Sequence, residues 1–259
     1  MKTLRTLINV ALVAALFTAC QKDVSALDSN NTLSVSTTVA GTSDEVIREY
    51  DARTGITIIT LRPGTNNGQD SWIDYMPSDP SYENGNAGNA TQIKVLSWTI
   101  KGNLVYSRSL LRFDSLANIP AGKKVIAAKL LLYGPSSSPV YLPQGNSTYP
   151  GSPYNYYGQN TTLIRKVTSA WDENTVTWNT QPTTTSIGQD TIPASNSQWN
   201  YDVCIDVTNL VRTMLVNNGG TNYGFMLRLA HESVYKSMGF YSSEASDKTK
   251  RPKLVVIYR

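Results

Sequence analysis

The sequence has little of what most enzyme sites and nucleic-acid surfaces require. It contains one histidine and two cysteines in 259 residues, and its formal net charge is only +4. A lone histidine, His231, cannot form a zinc site without cysteine or carboxylate partners, and a base without a nucleophile cannot perform covalent catalysis. Nucleic-acid binding needs a concentrated basic surface. We therefore expect neither a metalloenzyme nor a nucleic-acid partner.

Long apolar runs are also scarce, and the one at the N-terminus is too short to span a bilayer. Lys2 and Arg5 precede this run, which covers residues 6–17 and leads into small residues and Cys20. This order is typical of a secretory signal peptide. The sequence "FTAC" resembles a bacterial lipobox, although its phenylalanine replaces the usual leucine. We predict a signal peptide over residues 1–19 and lipidation of Cys20.

The segment after Cys20 gives a prediction of location. It begins "QKD", which resembles the charged tag of surface-exposed lipoproteins in Gram-negative bacteria. We therefore expect a lipid anchor in the outer membrane and a protein that faces the extracellular side; ordinary secretory cleavage nearby is the alternative. Removal of residues 1–19 takes away Lys2 and Arg5, so the formal charge falls from +4 to +2.

Lipidation of Cys20 would leave Cys204 without a partner, which excludes a disulfide framework. In "YDVCIDV" the alternation places Cys204 on the face opposite Val203 and Ile205, beside two aspartates. Carboxylates raise the pKa of a nearby thiol, so they oppose its use as a nucleophile. Cys204 is interpreted as a small strand residue.

The mature chain divides into a polar tether and one β domain. Residues 20–54 are rich in Ser, Thr, Asn and Asp, which is typical of a flexible linker. From residue 55 onward, short strand-like runs, among them "TVTWNT" at residues 175–180, alternate with Gly, Pro, Asn and Ser clusters. This pattern predicts an all-β sandwich or barrel over residues 55–259. One short helix is predicted in "DVTNLVRTMLVNNGG", where apolar residues recur on one face.

Alternation within the predicted strands indicates which side chains point outward. Arg112 opposes Leu111 and Phe113, Lys129 opposes leucines of "AKLLLY", and Arg228 opposes those of "FMLRL". Outward cations suit an acidic polysaccharide, because arginine forks match carboxylates. The alternative is that such residues only prevent aggregation of sheet edges.

Several ordered segments resemble one family. They are "TIITLRPGTNNGQDSWI", "LLRFDSLANIPAGKKVIAAKLLLYG", "VTSAWDENTVTWNTQP", "IDVTNLVRTML" and "FYSSEASDKTKRPKLVVIY". Together they resemble DNRLRE domains, which are disaggregatase-related and similar to carbohydrate-binding module family 96. The resemblance covers about residues 55–259. It implies a jelly-roll-like antiparallel β-sandwich that attaches to polysaccharide outside the cell.

The segment "WDENTVTWNTQP" looks like a catalytic site at first sight. A glycosidase needs two carboxylates that face each other about 5 to 9 Å apart, whereas Asp172 and Glu173 are adjacent in sequence and diverge. We interpret Trp171 and Trp178 as core or corner residues and the acidic pair, with Asn174, as caps of a turn. No catalytic residue is predicted.

A run of oxygen-bearing side chains raises the question of structural calcium. Its members are Asp70, Asp74, Asp79, Glu83, Asn84, Asn86 and Asn89. Hard oxygen ligands on a loop suit Ca²⁺, but the run lacks the spacing of a known calcium motif, and such residues are ordinary in turns. The sequence leaves both alternatives open, and no other cofactor is predicted.

A long insertion between Tyr133 and Thr161 is peculiar to this chain. Five tyrosines lie in it: Tyr141, Tyr149, Tyr154, Tyr156 and Tyr157. Tyrosine offers an apolar ring and a polar tip to a sugar, but a loop of this length also needs rings that pack on the domain. We hypothesise a ligand-binding set of Tyr149, Tyr154, Tyr156, Tyr157, Arg112, Lys129 and Arg228.

These features predict a non-catalytic surface lipoprotein that binds extracellular polysaccharide, either acidic or neutral. The alternative is a structural or adhesive module whose tyrosine loop contacts a protein or matrix partner. A polysaccharide lyase or hydrolase is disfavoured by the missing catalytic set.

Overall fold

The protein forms two antiparallel β-sheets that enclose one main hydrophobic core, as a computed structural model of the chain shows. The structure describes residues 34–35, 45–65, 68–136, 143–145, 158–215 and 220–259. The sheets lie in the compact unit Val35–Arg259. With two antiparallel sheets and one short helix among the described residues, this architecture confirms the predicted all-β sandwich.

Thirteen strands and one α-helix occur in the described ranges. The strands are β1 (Ser34–Val35), β2 (Glu45–Asp51), β3 (Ile56–Arg62), β4 (Gly68–Tyr75), β5 (Gln92–Ile100), β6 (Asn103–Phe113), β7 (Val125–Leu132), β8 (Thr162–Val167), β9 (Thr184–Ile192), β10 (Val203–Asp206), β11 (Phe225–Leu229), β12 (Lys236–Tyr241) and β13 (Lys253–Tyr258). The helix is α1 (Thr208–Met214).

The chain order of the strands differs from their order in space. The six-stranded sheet has the order β1-β2-β3-β13-β7-β10. The seven-stranded sheet has the order β12-β5-β6-β11-β8-β9, with β4 paired along β6. Strand β13, the last in chain order, therefore lies between β3 and β7 in the six-stranded sheet.

Alternation along the strands builds the main core. Leu111 and Phe113 of β6 face Leu130 and Leu132 of β7, and all four are at most 1 % exposed. Arg112, Lys129 and Arg228 lie on the faces opposite these core residues, as the alternation predicts. Burial of such apolar side chains is the main favourable contribution to folding.

Helix α1 covers one part of this core. Leu210, Val211 and Met214 are buried, which confirms the predicted apolar face. The carboxylate of Asp206 accepts a hydrogen bond of 2.9 Å from the backbone N–H of Thr208, at the first residue of the helix. This bond satisfies one of the N–H groups that a helix leaves without an internal partner.

The structure corrects several boundaries. Strand β2 pairs with β3 over its whole length, although its residues fall in the segment predicted as tether. Strands β4 and β9 were not predicted, and "TVTWNT" at residues 175–180 was predicted as a strand but forms turns. Turns replace the strand because Asp172 and Thr177 bond the backbone N–H groups of Asn174 and Thr180.

The structure also corrects the interpretation of Cys204. The predicted alternation is right, because Ile205 is buried in the core while Asp202 and Asp206 are exposed. Cys204, however, is disulfide-bonded. Its side chain is only partly buried on the outward side of β10, where a second sulfur can reach it. The expectation of a cysteine without a partner depended on the lipidation of Cys20.

Some predictions fall outside the described residues. They concern the signal peptide at residues 1–19, the lipidated Cys20, and the insertion tyrosines Tyr141, Tyr149, Tyr154, Tyr156 and Tyr157. Among the described residues, no helix is long and apolar enough to cross a membrane.

Candidate functional site

The outer face of the seven-stranded sheet carries the richest set of binding side chains. On β6, Tyr106, Arg108, Leu110 and Arg112 alternate with core residues such as Leu111 and therefore share this face. Leu110 is fully buried, whereas the tyrosine and both arginines are partly exposed. A segment that crosses the sheet covers Leu110. The polar side chains of β6 on either side of this segment stay partly exposed.

That crossing segment is residues 171–182, the predicted site-like sequence "WDENTVTWNTQP". Trp171 and Val176 form a second apolar cluster with residues of the sheet. The indole N–H of Trp171 donates a 2.8 Å hydrogen bond to the carbonyl of Tyr223. Trp171 is thus a buried structural residue, as predicted. The segment is anchored on the sheet, so the side chains it displays have defined positions.

One displayed side chain is Trp178, which ends a row of stacked rings. Its ring centroid lies 5.0 Å from that of Tyr75, with an interplanar angle of 20°. The centroid of Tyr75 lies 6.2 Å from that of Tyr106, at 18°. We call Tyr75, Tyr106 and Trp178 the aromatic stack. The rings stack face to face and are partly exposed. This arrangement is consistent with ring edges and hydroxyl groups that point toward solvent.

An arginine continues the stack. The guanidinium carbon of Arg108 lies 4.4 Å from the ring centroid of Trp178, within the range of a cation–π contact. Its Nη1 donates to Gln181 at 3.0 Å, and its Nε donates to Glu232 at 2.8 Å. These contacts fix the plane of the guanidinium, which lowers the entropic cost of its binding to a ligand.

Two further arginines act electrostatically on one another near Arg108, and one of them, Arg228, shares Glu232 with Arg108. Arg228 donates to Glu232 at 2.9 Å, and Arg165 donates to Gln189 at 2.9 Å. Burial lowers the pKa of Arg228, and repulsion from Arg108 and Arg165 adds to this effect against the attraction of Glu232. We call Arg108, Arg165, Arg228 and Glu232 the arginine cluster. Its three cations exceed its one carboxylate, so the face attracts anions.

The predicted cations do not form one group. Arg228 belongs to the arginine cluster, and Arg112 lies on the same sheet, where it pairs with Asp114 and lies 5.5 Å from the ring centroid of Trp171. Lys129 lies on β7 of the six-stranded sheet and pairs with Asp206 at 3.0 Å. Alternation shows that a side chain points outward, but it does not show to which of the two sheets its strand belongs.

Arg112 also lines a cleft of about 560 Å³, a volume in the range of small-ligand sites. Asp114, Asn222 and Tyr223 add polar and aromatic groups, and Met214 is part of the apolar floor. Because Asp114 already neutralises Arg112, the cleft offers less positive charge than the arginine cluster. We therefore treat the cleft as secondary.

A third feature is a cluster of acidic side chains. One carboxylate oxygen each of Asp70, Glu173 and Glu244 lies within 4.8 Å of the other two. Burial, with repulsion from Glu244, raises the pKa of Asp70 well above its usual range. Burial raises the pKa of Glu173 to about 7. Glu173 was predicted to cap a turn with Asp172; only Asp172 does so, because Glu173 turns inward.

The predicted run of oxygen ligands is not gathered in one place. Asp74 lies 3.5 Å from Lys94, Asp79 bonds Ser81, and Asn86 donates to the carbonyl of Glu173. Only Asp70 joins other carboxylates, and these come from distant parts of the chain. The run therefore does not form a site by itself.

Sequence reasoning missed most members of the outer-face site. Arg108, Tyr75 and Tyr106 were not singled out. Trp178 was assigned to the core or to a corner, and it does pack against the second apolar cluster, but its partial exposure in the aromatic stack was not foreseen. The alternation that identified Arg112 also identifies Arg108 and Tyr106, two residues apart on the same strand. The same alternation could not be applied to Tyr75, because β4 was not predicted as a strand.

Comparison with known proteins adds a family match to this geometry. No curated protein matches the chain. Residues 154–258 match the model of carbohydrate-binding module family 96. This range contains β8 to β13 and thus Trp178, Arg165, Arg228 and Glu232. The match confirms the resemblance to carbohydrate-binding module family 96 that the sequence motifs indicated, over this part of the chain.

Proposed function

We propose that the protein binds acidic polysaccharide on the outer face of its seven-stranded sheet, without breaking a bond. The observation that carries this proposal is the arginine cluster beside the aromatic stack. Arg108 and Arg228 share the single carboxylate of Glu232, and Arg165 adds a third positive charge close enough to act on Arg228. The match to a carbohydrate-binding family supports a sugar ligand. The excess of arginine supports an acidic one.

The two parts of the face suit different parts of such a polymer. Guanidinium groups bind carboxylate or sulfate groups in a bidentate manner, and a polysaccharide repeats these anions at regular intervals. Tyr75, Tyr106 and Trp178 offer partly exposed apolar ring surface to the C–H groups of the sugar and polar tips to its hydroxyls. An extended chain that crosses the face would contact both.

A binding test compares polymers that differ only in charge. The full chain is expected to be retarded in a gel that contains a polyuronate, but not in one that contains an uncharged glucan. Arg165→Gln should weaken polyuronate binding by about three- to tenfold, because it removes one partly exposed ionic contact. Higher salt should weaken binding further.

Lys129→Gln is the matched control, because it removes one cation from the opposite sheet. It should leave polyuronate binding unchanged. An equal loss with Lys129→Gln, or no retardation by any polysaccharide, would contradict the proposed surface. Retention of a protein partner instead of a glycan would favour the adhesive alternative.

We also propose that the domain is displayed on the outer surface of the cell through lipidated Cys20. The support is the basic start, the apolar run and the lipobox-like "FTAC" in the sequence. The chain has two cysteines, so a lipid on Cys20 would leave no second sulfur in the same chain for Cys204. Acylation and a disulfide at Cys204 must therefore be measured together.

The acylation test uses palmitate labelling of cells that express the full chain. Cys20→Ser is expected to abolish labelling and to release the protein from the membrane fraction, because the thioether needs the Cys20 sulfur. Cys204→Ser should keep the label. A wild-type protein without label, whose Cys204 reacts with maleimide only after reduction, would contradict lipidation.

A further inference from the structure

The carboxylates of buried Asp70 and Glu173 and of half-buried Glu244 come together from three distant segments. Asp70 lies on β4, Glu173 lies in the crossing segment, and Glu244 follows β12. Asp70 is 1 % exposed and Glu173 is 8 % exposed, although carboxylates are rarely buried without a partner. Three acidic groups in such a place need a compensating charge or bound protons.

No basic side chain supplies that charge. Among the described residues, the ion pairs involve other carboxylates, namely Asp74, Asp114, Asp202, Asp206 and Glu232. The groups that act on Glu173 are instead further acids, Glu244, Asp172 and Asp114, and each of them raises its pKa. The cluster therefore concentrates negative charge away from water.

Hydrogen bonds hold each carboxylate in place but use only part of its capacity. Glu173 Oε1 accepts the backbone N–H of Asp70 at 2.7 Å, and Asp70 Oδ2 accepts that of Ser243 at 2.8 Å. Glu244 Oε1 accepts the hydroxyl of Ser243 at 2.9 Å.

A buried oxygen without a partner is the second indication of a ligand. Oε2 of Glu244 is inaccessible to solvent and has no hydrogen-bond partner in the structure. An unpaired buried acceptor costs about 1–3 kcal/mol, and more when it is charged. A cation among the three carboxylates would satisfy this oxygen and neutralise the cluster at once.

The packing around Glu173 leaves little freedom for its side chain. A Cβ atom on Gly88 would lie 2.4 Å from the carbonyl oxygen of Glu173 and 2.6 Å from its Cγ. Asn86 holds the same carbonyl at 2.7 Å. The carboxylate is therefore fixed in position before any ion arrives, which favours binding.

We propose that Asp70, Glu173 and Glu244 form a calcium site. The donors are all carboxylate oxygens, which Ca²⁺ prefers, and neither histidine nor cysteine is present to select a transition metal. Because the three oxygens lie within 4.8 Å of one another, a single cation can contact all of them at Ca–O distances of about 2.4 Å. Water and backbone carbonyls complete the six to eight ligands that Ca²⁺ takes.

The site has a structural role, because it ties the crossing segment to β4 and to the residues after β12. Trp178 lies five residues beyond Glu173 on that segment, so the ion also stabilises one end of the aromatic stack. The proposal does not depend on glycan binding, and its test measures stability and metal binding alone.

The experiment compares thermal unfolding of the full chain in chelator and in CaCl₂. At a Ca²⁺ concentration about 100-fold above the dissociation constant, the melting temperature should rise by about 5 °C or more. Glu244→Gln should abolish most of this rise, because it removes one of three charges and leaves the size of the side chain unchanged. In chelator the same variant should be as stable as the parent or more stable, because it removes repulsion.

Glu83→Gln is the matched control, since Glu83 lies in the same acidic part of the sequence but outside the cluster. It should keep the full calcium effect. Glu173→Gln provides a second variant with the expected behaviour of Glu244→Gln, and calorimetric titration with CaCl₂ reports binding directly. Absence of any calcium effect, an undiminished effect in both variants, or an equal effect of Mg²⁺ would overturn the assignment.

Discussion

Replacement of Trp178 and Tyr75 together by alanine is expected to weaken binding to an acidic polysaccharide by about thirtyfold or more. Aromatic anchors at interfaces commonly contribute above about 1 kcal/mol each, and tenfold in affinity corresponds to about 1.4 kcal/mol. The double variant also removes the ring on which Arg108 lies, 4.4 Å from the centroid. The arginine then keeps its bonds to Glu232 and Gln181 but loses the ring that covers one side of its guanidinium.

Titration calorimetry of the full chain with a soluble polyuronate measures this loss. Tyr50→Ala is the control, because Tyr50 is 41 % exposed and lies on β2 of the opposite sheet. Near-ultraviolet circular dichroism checks that the double variant remains folded. Unchanged affinity in a folded double variant would exclude the aromatic stack from the binding surface and direct attention to the cleft beside Arg112.

The second large effect concerns stability. Phe225→Ala is expected to lower the free energy of unfolding by about 3–5 kcal/mol, because it removes a large side chain and leaves a cavity. Phe225 is 1 % exposed and belongs to the main core between the sheets. Its strand, β11, pairs with both β6 and β8, so the neighbours cannot easily move into the space.

Urea denaturation at 25 °C measures this change. Ile187→Ala is a suitable control because Ile187 is 84 % exposed, and surface substitutions usually change stability by less than about 0.5 kcal/mol. A loss below about 1 kcal/mol for Phe225→Ala would contradict the described core. Folded Phe225→Ala should still bind polysaccharide, because Phe225 faces away from the outer surface.

Regular alternation explains why much of the fold follows from sequence patterns. "LLRF" on β6 and "FMLRL" on β11 place every second residue in one core, and a 3.6-residue period places Leu210, Val211 and Met214 on one helix face. The strands without this pattern were missed. β9 reads "TTSIGQDTI" and exposes most of its side chains, so no apolar alternation marks it.

The candidate site was harder to predict because its members are distant in sequence. Tyr75, Tyr106 and Trp178 meet only because β4 pairs with β6 and the crossing segment lies on both. Glu173 and Asp172 are neighbours in sequence, yet one is buried and the other is exposed. Local propensity describes turns well but does not show which side of a turn another strand will cover.

The sequence alone determined the all-β architecture, the outward positions of Arg112 and Arg228, and the resemblance to carbohydrate-binding module family 96. These properties depend on periodicity and on ordered motifs, which are local in the chain. The tertiary structure alone decided that Lys129 lies on the other sheet, that Arg108 and Arg228 share one glutamate, and that three carboxylates meet. Such groupings depend on strand order and on long-range pairing, which no local pattern encodes.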